Sequence, residues 1–181
     1  MHEVSSLIVG ISDCLVTDDQ DASLVAYALG SCIALTIHDP VAHIGGMLHF
    51  MLPESNIHRG KALENPFMFA DSGIPLLFRN AYQLGADKKR LVVRATGGAQ
   101  VMSDQEVFNT GKRNYLALRK ILWKAGVMIH AEAIGGSVAR TVRLDIGSGR
   151  FTIREAAGPE MELAASKHGN VKLRSDAADA Q

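Results

Sequence analysis

Apolar residues recur with the short period of β-strands through the first half of the chain. Residues 4–11 and 24–29 are short apolar runs, and within 32–38 (CIALTIH) Ile33, Leu35 and Ile37 alternate with smaller residues. Asp39-Pro40 then predicts a turn, because Asp suits its first position and Pro its second. A further apolar run, 44–52, ends at Pro53, and its Gly45-Gly46 pair suggests a bulge or a close backbone approach.

The pattern changes after a polar, loop-like stretch at 54–65. Asn65-Pro66 predicts a helix start, with Asn as cap and Pro in the first helical position. Phe69, Leu76, Leu77, Ala81 and Leu84 follow at helical spacing up to a C-cap at Gly85, with Gly73 and Pro75 as points where this helix would break or kink. Residues 91–96 read as a strand that runs into Gly97-Gly98. Leu116, Leu118, Ile121 and Leu122 give 112–125 an amphipathic helical pattern that Gly126 stops. The last strands are 127–134, 141–146 and 151–155, the final two joined tightly by Gly147-Ser148-Gly149. The order strands, helix, strand, helix, strands argues for an α+β fold rather than strict βαβ alternation. Residues 1–165 read as one domain, and the polar, small-residue tail at 166–181 is expected to be disordered.

Composition narrows the function classes. Hydrophobic residues make up 47% of the 181 and charged residues 21%, the balance of a soluble globular domain able to bury a core without disulfides. Nineteen Lys and Arg balance nineteen Asp and Glu, so no bulk charge draws nucleic acid. No apolar run reaches membrane-spanning length, and the N-terminal stretch lacks the pattern of a secretory signal. Two cysteines, Cys14 and Cys32, make no disulfide framework. The expectation is a reducing cytoplasm in which a thiol stays available for chemistry.

One thiol has a candidate partner. If the turn after Asp39 is centred between Pro40 and Val41, His38 faces His43 and Cys32 faces His49. Directly opposed residues have Cβ atoms about 4.5–5.5 Å apart, close enough for a thiol and an imidazole to share a proton. Cys32 also follows Gly30-Ser31, where a sharp approach lets backbone N–H groups aim at a developing oxyanion. His49 would take the thiol proton, the sulfur would attack an amide carbon, and water would release the acyl group. A buried cysteine is also an ordinary packing residue, and residue type and spacing leave both readings open. Cys14 lacks such a context and reads as structural; His38 and His43 read as surface residues. A zinc site from Cys32, His38, His43 and His49 is disfavoured, since the two pairs lie about 20 Å apart along the strands. The glycine pairs at 97–98 and 135–136 read as turn geometry, as neither carries the Lys-Ser/Thr ending of a phosphate loop.

The run LGSCIALTIHDPVAHIGGMLHFMLP at 29–53 closely resembles the signature of CheD, the chemoreceptor glutamine deamidase family. The resemblance continues through FADSGI at 69–74, TGGAQVM at 96–102, TGKRN at 110–114 and IGGSVARTVRLDIGSGRFTIRE at 134–155. It implies Cys32 as nucleophile and His49 as catalytic histidine. The implied activity is conversion of receptor glutamines to glutamates, with hydrolysis of receptor glutamyl methyl esters in some members, and no metal or cofactor. It also implies a fold similar to the cytotoxic necrotizing factor catalytic domain, a single-domain mixed or antiparallel β-sandwich core flanked by helices. The family often has a threonine six residues before the cysteine. Here that position is Ala26, which leaves the third catalytic position unfilled.

The leading expectation is therefore a cytoplasmic protein-glutamine deamidase acting on the helical cytoplasmic domains of chemoreceptors. The alternative is a weakly catalytic or non-catalytic chemotaxis partner of receptors or of a CheC-type phosphatase. A third is an amidase for another protein or a small amide. None of these readings involves nucleic acid or membrane insertion.

Overall fold

The computed structural model describes residues 5–100, 109–166 and 171–172. In chain order the elements begin with β1 (Ser5–Ile8), β2 (Asp13–Thr17), β3 (Ala22–Leu29), β4 (Ile33–Asp39) and β5 (Ile44–Phe50). A 3-10 turn (Ser55–His58), α1 (Arg59–Glu64), a second 3-10 turn (Pro66–Met68) and α2 (Ala70–Leu84) follow. The remainder is β6 (Val92–Gly97), α3 (Thr110–Lys124), β7 (Ala131–Ile134), β8 (Arg140–Asp145), β9 (Phe151–Glu155), β10 (Glu160–Glu162) and β11 (Val171–Lys172).

The strands form two mixed sheets, β1-β3-β8-β9-β10 and β11-β7-β6-β4-β5-β2. Period-two alternation on the central strands of the larger sheet divides its side chains between two cores. Ile33, Leu35, Ile37, Leu48, Phe50, Val93 and Ala95 face α2 and α3 and pack against Ile74, Leu77 and Leu118. Ala34, Met47, Ala131 and Ala133 face the other way and meet Leu24, Ala26, Val142, Leu144 and Phe151 of the smaller sheet. The result is the expected α+β sandwich, with its longer helices layered on one face of the six-stranded sheet.

The β4–β5 hairpin corrects the sequence-based register. Asp39 does open a turn: its Oδ1 accepts from the Val41 and Ala42 amides at 2.9 and 3.1 Å. The loop holds four residues rather than two, because the pairing closes at Asp39↔Ile44 and His43 turns in the left-handed region. His49 therefore stands opposite Ala34, and His38 opposite Gly45. The Asp39 carboxylate also accepts from the Asp87 amide and from Arg90, which holds it well below the usual carboxylate range. His38 is buried rather than on the surface: its Nε2 lies 2.8 Å from the Ile146 carbonyl of the facing sheet. His43, half-buried, makes a similar contact with the Gly147 carbonyl at 3.0 Å.

Gly45-Gly46 makes no bulge, since the β4–β5 register is continuous through both. A Cβ on Gly45 would lie 2.4 Å from Ile146 Cδ1, and one on Gly46 would lie 2.9 Å from Leu77 Cδ1. The facing sheet and α2 thus press on β5 from opposite sides. Stretch 54–65, expected as loop, winds into a 3-10 turn and α1. Helix α2 runs unbroken through Gly73 and Pro75, losing one backbone donor at the proline, while Gly73 lets it sit against Leu48. Gly85 caps it at φ +110° as expected. Strands β2, β10 and β11 carry no clear alternation and were not anticipated. Within the tail read as disordered, Val171–Lys172 pair in parallel with β7, and the rest beyond Ser166 lies outside the described residues.

Gly45→Ala is expected to overpack the sandwich and to cost about 1–3 kcal/mol of stability. Urea unfolding checks this: the midpoint should fall with the slope unchanged.

Candidate active site

Cys32 sits just ahead of β4, at the end of a bent connection from β3. The β3–β8 register slips between Ala26 and Leu29, where Ala28 adopts φ +50° and donates its amide to Thr141 Oγ1. Such a bulge re-aims the chain that leaves it. The re-aimed segment is then held by main chain on its far side. The Gly98 amide donates to the Cys32 carbonyl at 2.9 Å, and the Ala99 amide to the Gly30 carbonyl at 2.8 Å. A Cβ on Gly97 would fall 2.2 Å from the Cys32 oxygen, and Gly97 sits at φ +115°. Gly111, at the start of α3, presses on the Gly98 carbonyl in the same way. Gly135 and Gln100 complete the lattice, donating to the carbonyls of Gly97 and Gly136 at 2.9 Å each. Gly97-Gly98 thus serves close backbone approach, whereas Gly135-Gly136, at φ +83° and +77° with no backbone near either position, is turn geometry as expected.

His49 lies in the interior of β5, 3% exposed. Its Nδ1 is 3.2 Å from the Val9 carbonyl. A carbonyl only accepts, so Nδ1 carries the hydrogen and Nε2 presents a lone pair. The Ser12 amide donates to the His49 carbonyl at 2.8 Å, and Asp13 of β2 is its cross-strand partner. Burial lowers the His49 pKa; the Val9 carbonyl and the Asp13 carboxylate recover part of that loss.

Cys32 and His49 occupy the same, inter-sheet face. Ala34 stands opposite His49, and Cys32 is two residues from Ala34, so the pair are diagonal neighbours rather than directly opposed. Diagonal partners are about 7–8 Å apart at the backbone, within reach of a thiol and a ring leaning over a methyl group. Ala34 supplies that methyl. The two side chains are not hydrogen-bonded to each other. Burial pushes the Cys32 thiol up, offset in part by its own backbone N–H. Burial thus favours the uncharged form of both side chains. Cys14, on β2 opposite Leu48, packs into the helix-side core, and burial with the neighbouring Asp13 pushes its thiol up to about 12.

Three buried side-chain polar atoms lack a partner among the described residues: Ser12 Oγ, Thr96 Oγ1 and Asn114 Oδ1. Each belongs to a residue bonded to or paired beside the Cys32–His49 region. Ser12 bonds His49 through its backbone, and Thr96 is the cross-strand partner of Ala34. Asn114 Nδ2 donates to the Ser31 carbonyl at 3.0 Å and to the Met51 carbonyl at 2.9 Å, tying together the segments that carry the two residues. Orphan polar groups are costly in a folded interior, and these three flank the segments that carry Cys32 and His49. Sequence reasoning missed Val9, Ser12, Asp13, Thr96 and Asn114. Thr96 and Asn114 were present in TGGAQVM and TGKRN without a role; a backbone carbonyl such as that of Val9 leaves no residue-type signal.

Among the described residues no three His, Cys, Asp or Glu side chains converge as a metal site. No helix among them is long and apolar enough to cross a membrane.

Comparison with known proteins points in one direction. The family model described as CheD chemotactic sensory transduction matches residues 51–155, beginning two residues past His49. A probable chemoreceptor glutamine deamidase CheD of Solibacter usitatus is 54% identical over 170 residues, which is 92% of this chain and all of that protein. A probable chemoreceptor glutamine deamidase CheD 1 of Syntrophus aciditrophicus is 46% identical over 160 residues, 88% of this chain and all of that protein. A protein of the same description from Symbiobacterium thermophilum is 35% identical over 158 residues, 86% of this chain and 95% of its own.

Asn114→Ala removes two hydrogen bonds to half-buried main-chain carbonyls. It should lower stability by about 1–3 kcal/mol and loosen Cys32 from His49. The expected result is faster hydrogen exchange at residues 30–33 and 49–51, read by mass spectrometry.

Proposed function

This chain belongs to the CheD family, and on that premise we propose that it deamidates glutamine side chains of chemoreceptors, with Cys32 as nucleophile and His49 as base. The observation that carries the reading is a thiol and an imidazole on diagonal positions of the β4–β5 pair, flanking Ala34, in a region that holds three unpaired polar atoms. An arrangement kept only for packing would be expected to satisfy those atoms or replace them with carbon.

The mechanism starts from the uncharged pair that burial favours. His49 Nε2 takes the Cys32 proton as the sulfur closes on the glutamine amide carbon, so charge separates only when substrate is present. The Cys32 backbone N–H is a candidate donor to the oxyanion. Collapse of the tetrahedral intermediate expels the amide nitrogen, which leaves as ammonia with the proton held by His49. Water, deprotonated by His49, then hydrolyses the thioester to glutamate and restores the thiol. The Val9 carbonyl fixes the ring tautomer throughout, and Asp13 favours the imidazolium that forms. The family is expected to act in the cytoplasm, where the receptor signalling domains lie and the thiol stays reduced. The gain of a carboxylate alters the charge of the receptor surface, which is how the reaction would tune signalling.

The test uses glutamine-bearing chemoreceptor signalling domains. Ammonia release and a one-dalton mass gain are expected with the wild type, and at least about a thousandfold less with Cys32→Ala or His49→Ala. Receptor or CheC-type phosphatase binding without turnover by any variant would favour the binding-partner reading. Turnover confined to other amides would favour a different substrate.

The pH profile gives a second check. Protonation removes the base, so kcat/KM should fall as pH drops through the His49 pKa, below the ordinary 6.5. Asp13 raises that pKa, so Asp13→Asn should move the acid limb to lower pH. An unmoved limb would remove Asp13 from the site.

A further inference from the structure

Thr96 is fully buried on β6, and its hydroxyl has no partner. Its side chain lies on the inter-sheet face, because its neighbours Ala95 and Val93 belong to the helix-side core on alternate or adjacent positions of the other face. The lateral surroundings explain the orphan. Thr96 is flanked in the sheet by Ala34 on β4 and by Ala133 on β7, and both offer only methyl groups. Along the diagonals on β4 lie Thr36, whose own hydroxyl bonds the Arg94 carbonyl, and Cys32. Cys32 thus has His49 on one diagonal and Thr96 on the other, with Ala34 beneath all three.

A hydroxyl donates strongly to an anion and poorly to a neutral thiol, since sulfur in a thiol is a weak acceptor. An unpaired hydroxyl beside a neutral Cys32 is a donor without an acceptor, and it gains one when the sulfur ionises. We propose that Thr96 Oγ1 donates a hydrogen bond to Cys32 Sγ as its proton passes to His49, making Thr96 a third catalytic residue that stabilises the thiolate. No covalent bond to Thr96 forms or breaks; the only proton that moves goes from Sγ to His49 Nε2. The interaction is absent at rest and present when charge develops, and only such differential contacts accelerate a reaction. The facing sheet contributes no hydroxyl at Ala26, so this donor comes from the sheet that also carries the pair.

The inference rests on the reading of Cys32 as nucleophile, and its test does not depend on the receptor. Alkylation of Cys32 by iodoacetamide across pH, read peptide by peptide so that Cys14 is counted apart, reports the thiolate. In Thr96→Val, which keeps the shape and loses the hydroxyl, the alkylation profile should shift to higher pH, and kcat/KM for deamidation should fall about tenfold or more. The melting temperature should hold or rise, since a costly orphan has been removed. Thr96→Ser should restore the wild-type profile. An unshifted alkylation profile in Thr96→Val overturns the proposal, whether or not activity falls. If the wild type alkylates as expected but deamidates no receptor, the substrate reading fails while the alkylation shift still decides the role of Thr96.

Discussion

The carbonyl oxygen of Cys32 occupies the space that any side chain at position 97 would need, and most of the site follows from that crowding. Once Gly97 is admitted, β6 can run its main chain along residues 30–32 and donate into them from Gly98 and Ala99. The bend carrying the thiol is thereby held by backbone hydrogen bonds rather than by flexible side chains. Gly111 then lets α3 settle onto Gly98, which brings Asn114 to the Ser31 and Met51 carbonyls. In the proposed role of nucleophile, a cysteine held in this way loses little freedom on reaching its attack geometry, which is the main advantage of preorganisation.

Burial's preference for uncharged groups here and the unpaired polar atoms belong together. Burial raises the thiol and lowers the imidazole, so the interior opposes the ion pair. Unpaired groups at Ser12, Thr96 and Asn114 mean that the same interior retains unused hydrogen-bonding capacity. A core selected for stability alone would be drier and better satisfied. On the proposed mechanism, the interior accepts a modest loss of stability in a place where charge appears transiently.

Much of this was legible in the chain. The central strands showed themselves through the alternation of Ile33, Leu35 and Ile37, and α3 through Leu118, Ile121 and Leu122, because burial on one face imposes a period. The likeness of 29–53 and 110–114 to the CheD signature pointed to the family. The register did not show itself: it depended on whether Asp39 capped a two- or a four-residue loop, and both are compatible with Asp-Pro. Strand β2 was silent because DCLVT is an edge strand, half-buried throughout, with no alternation to read. Its invisibility concealed Asp13 and, one turn earlier, the Val9 carbonyl. Thr96 and Asn114 had no signal of residue type, since a threonine in a strand and an asparagine in a helix are ordinary until the atoms around them are known.

The segment that conditions His49 lies at one edge of its sheet. Val9, Ser12 and Asp13 all lie where the chain crosses from β1 in the smaller sheet to β2, and β2 is the outermost strand of the larger one, paired only with β5. Edge strands open at a fraction of the free energy needed to unfold a domain. Sub-global detachment of residues 9–17 would leave the Cys32 backbone lattice standing while releasing the ring tautomer and removing the neighbouring carboxylate. Thermal inactivation would then precede thermal unfolding, and whatever binds over this edge would act on the reactivity of the base without touching the thiol.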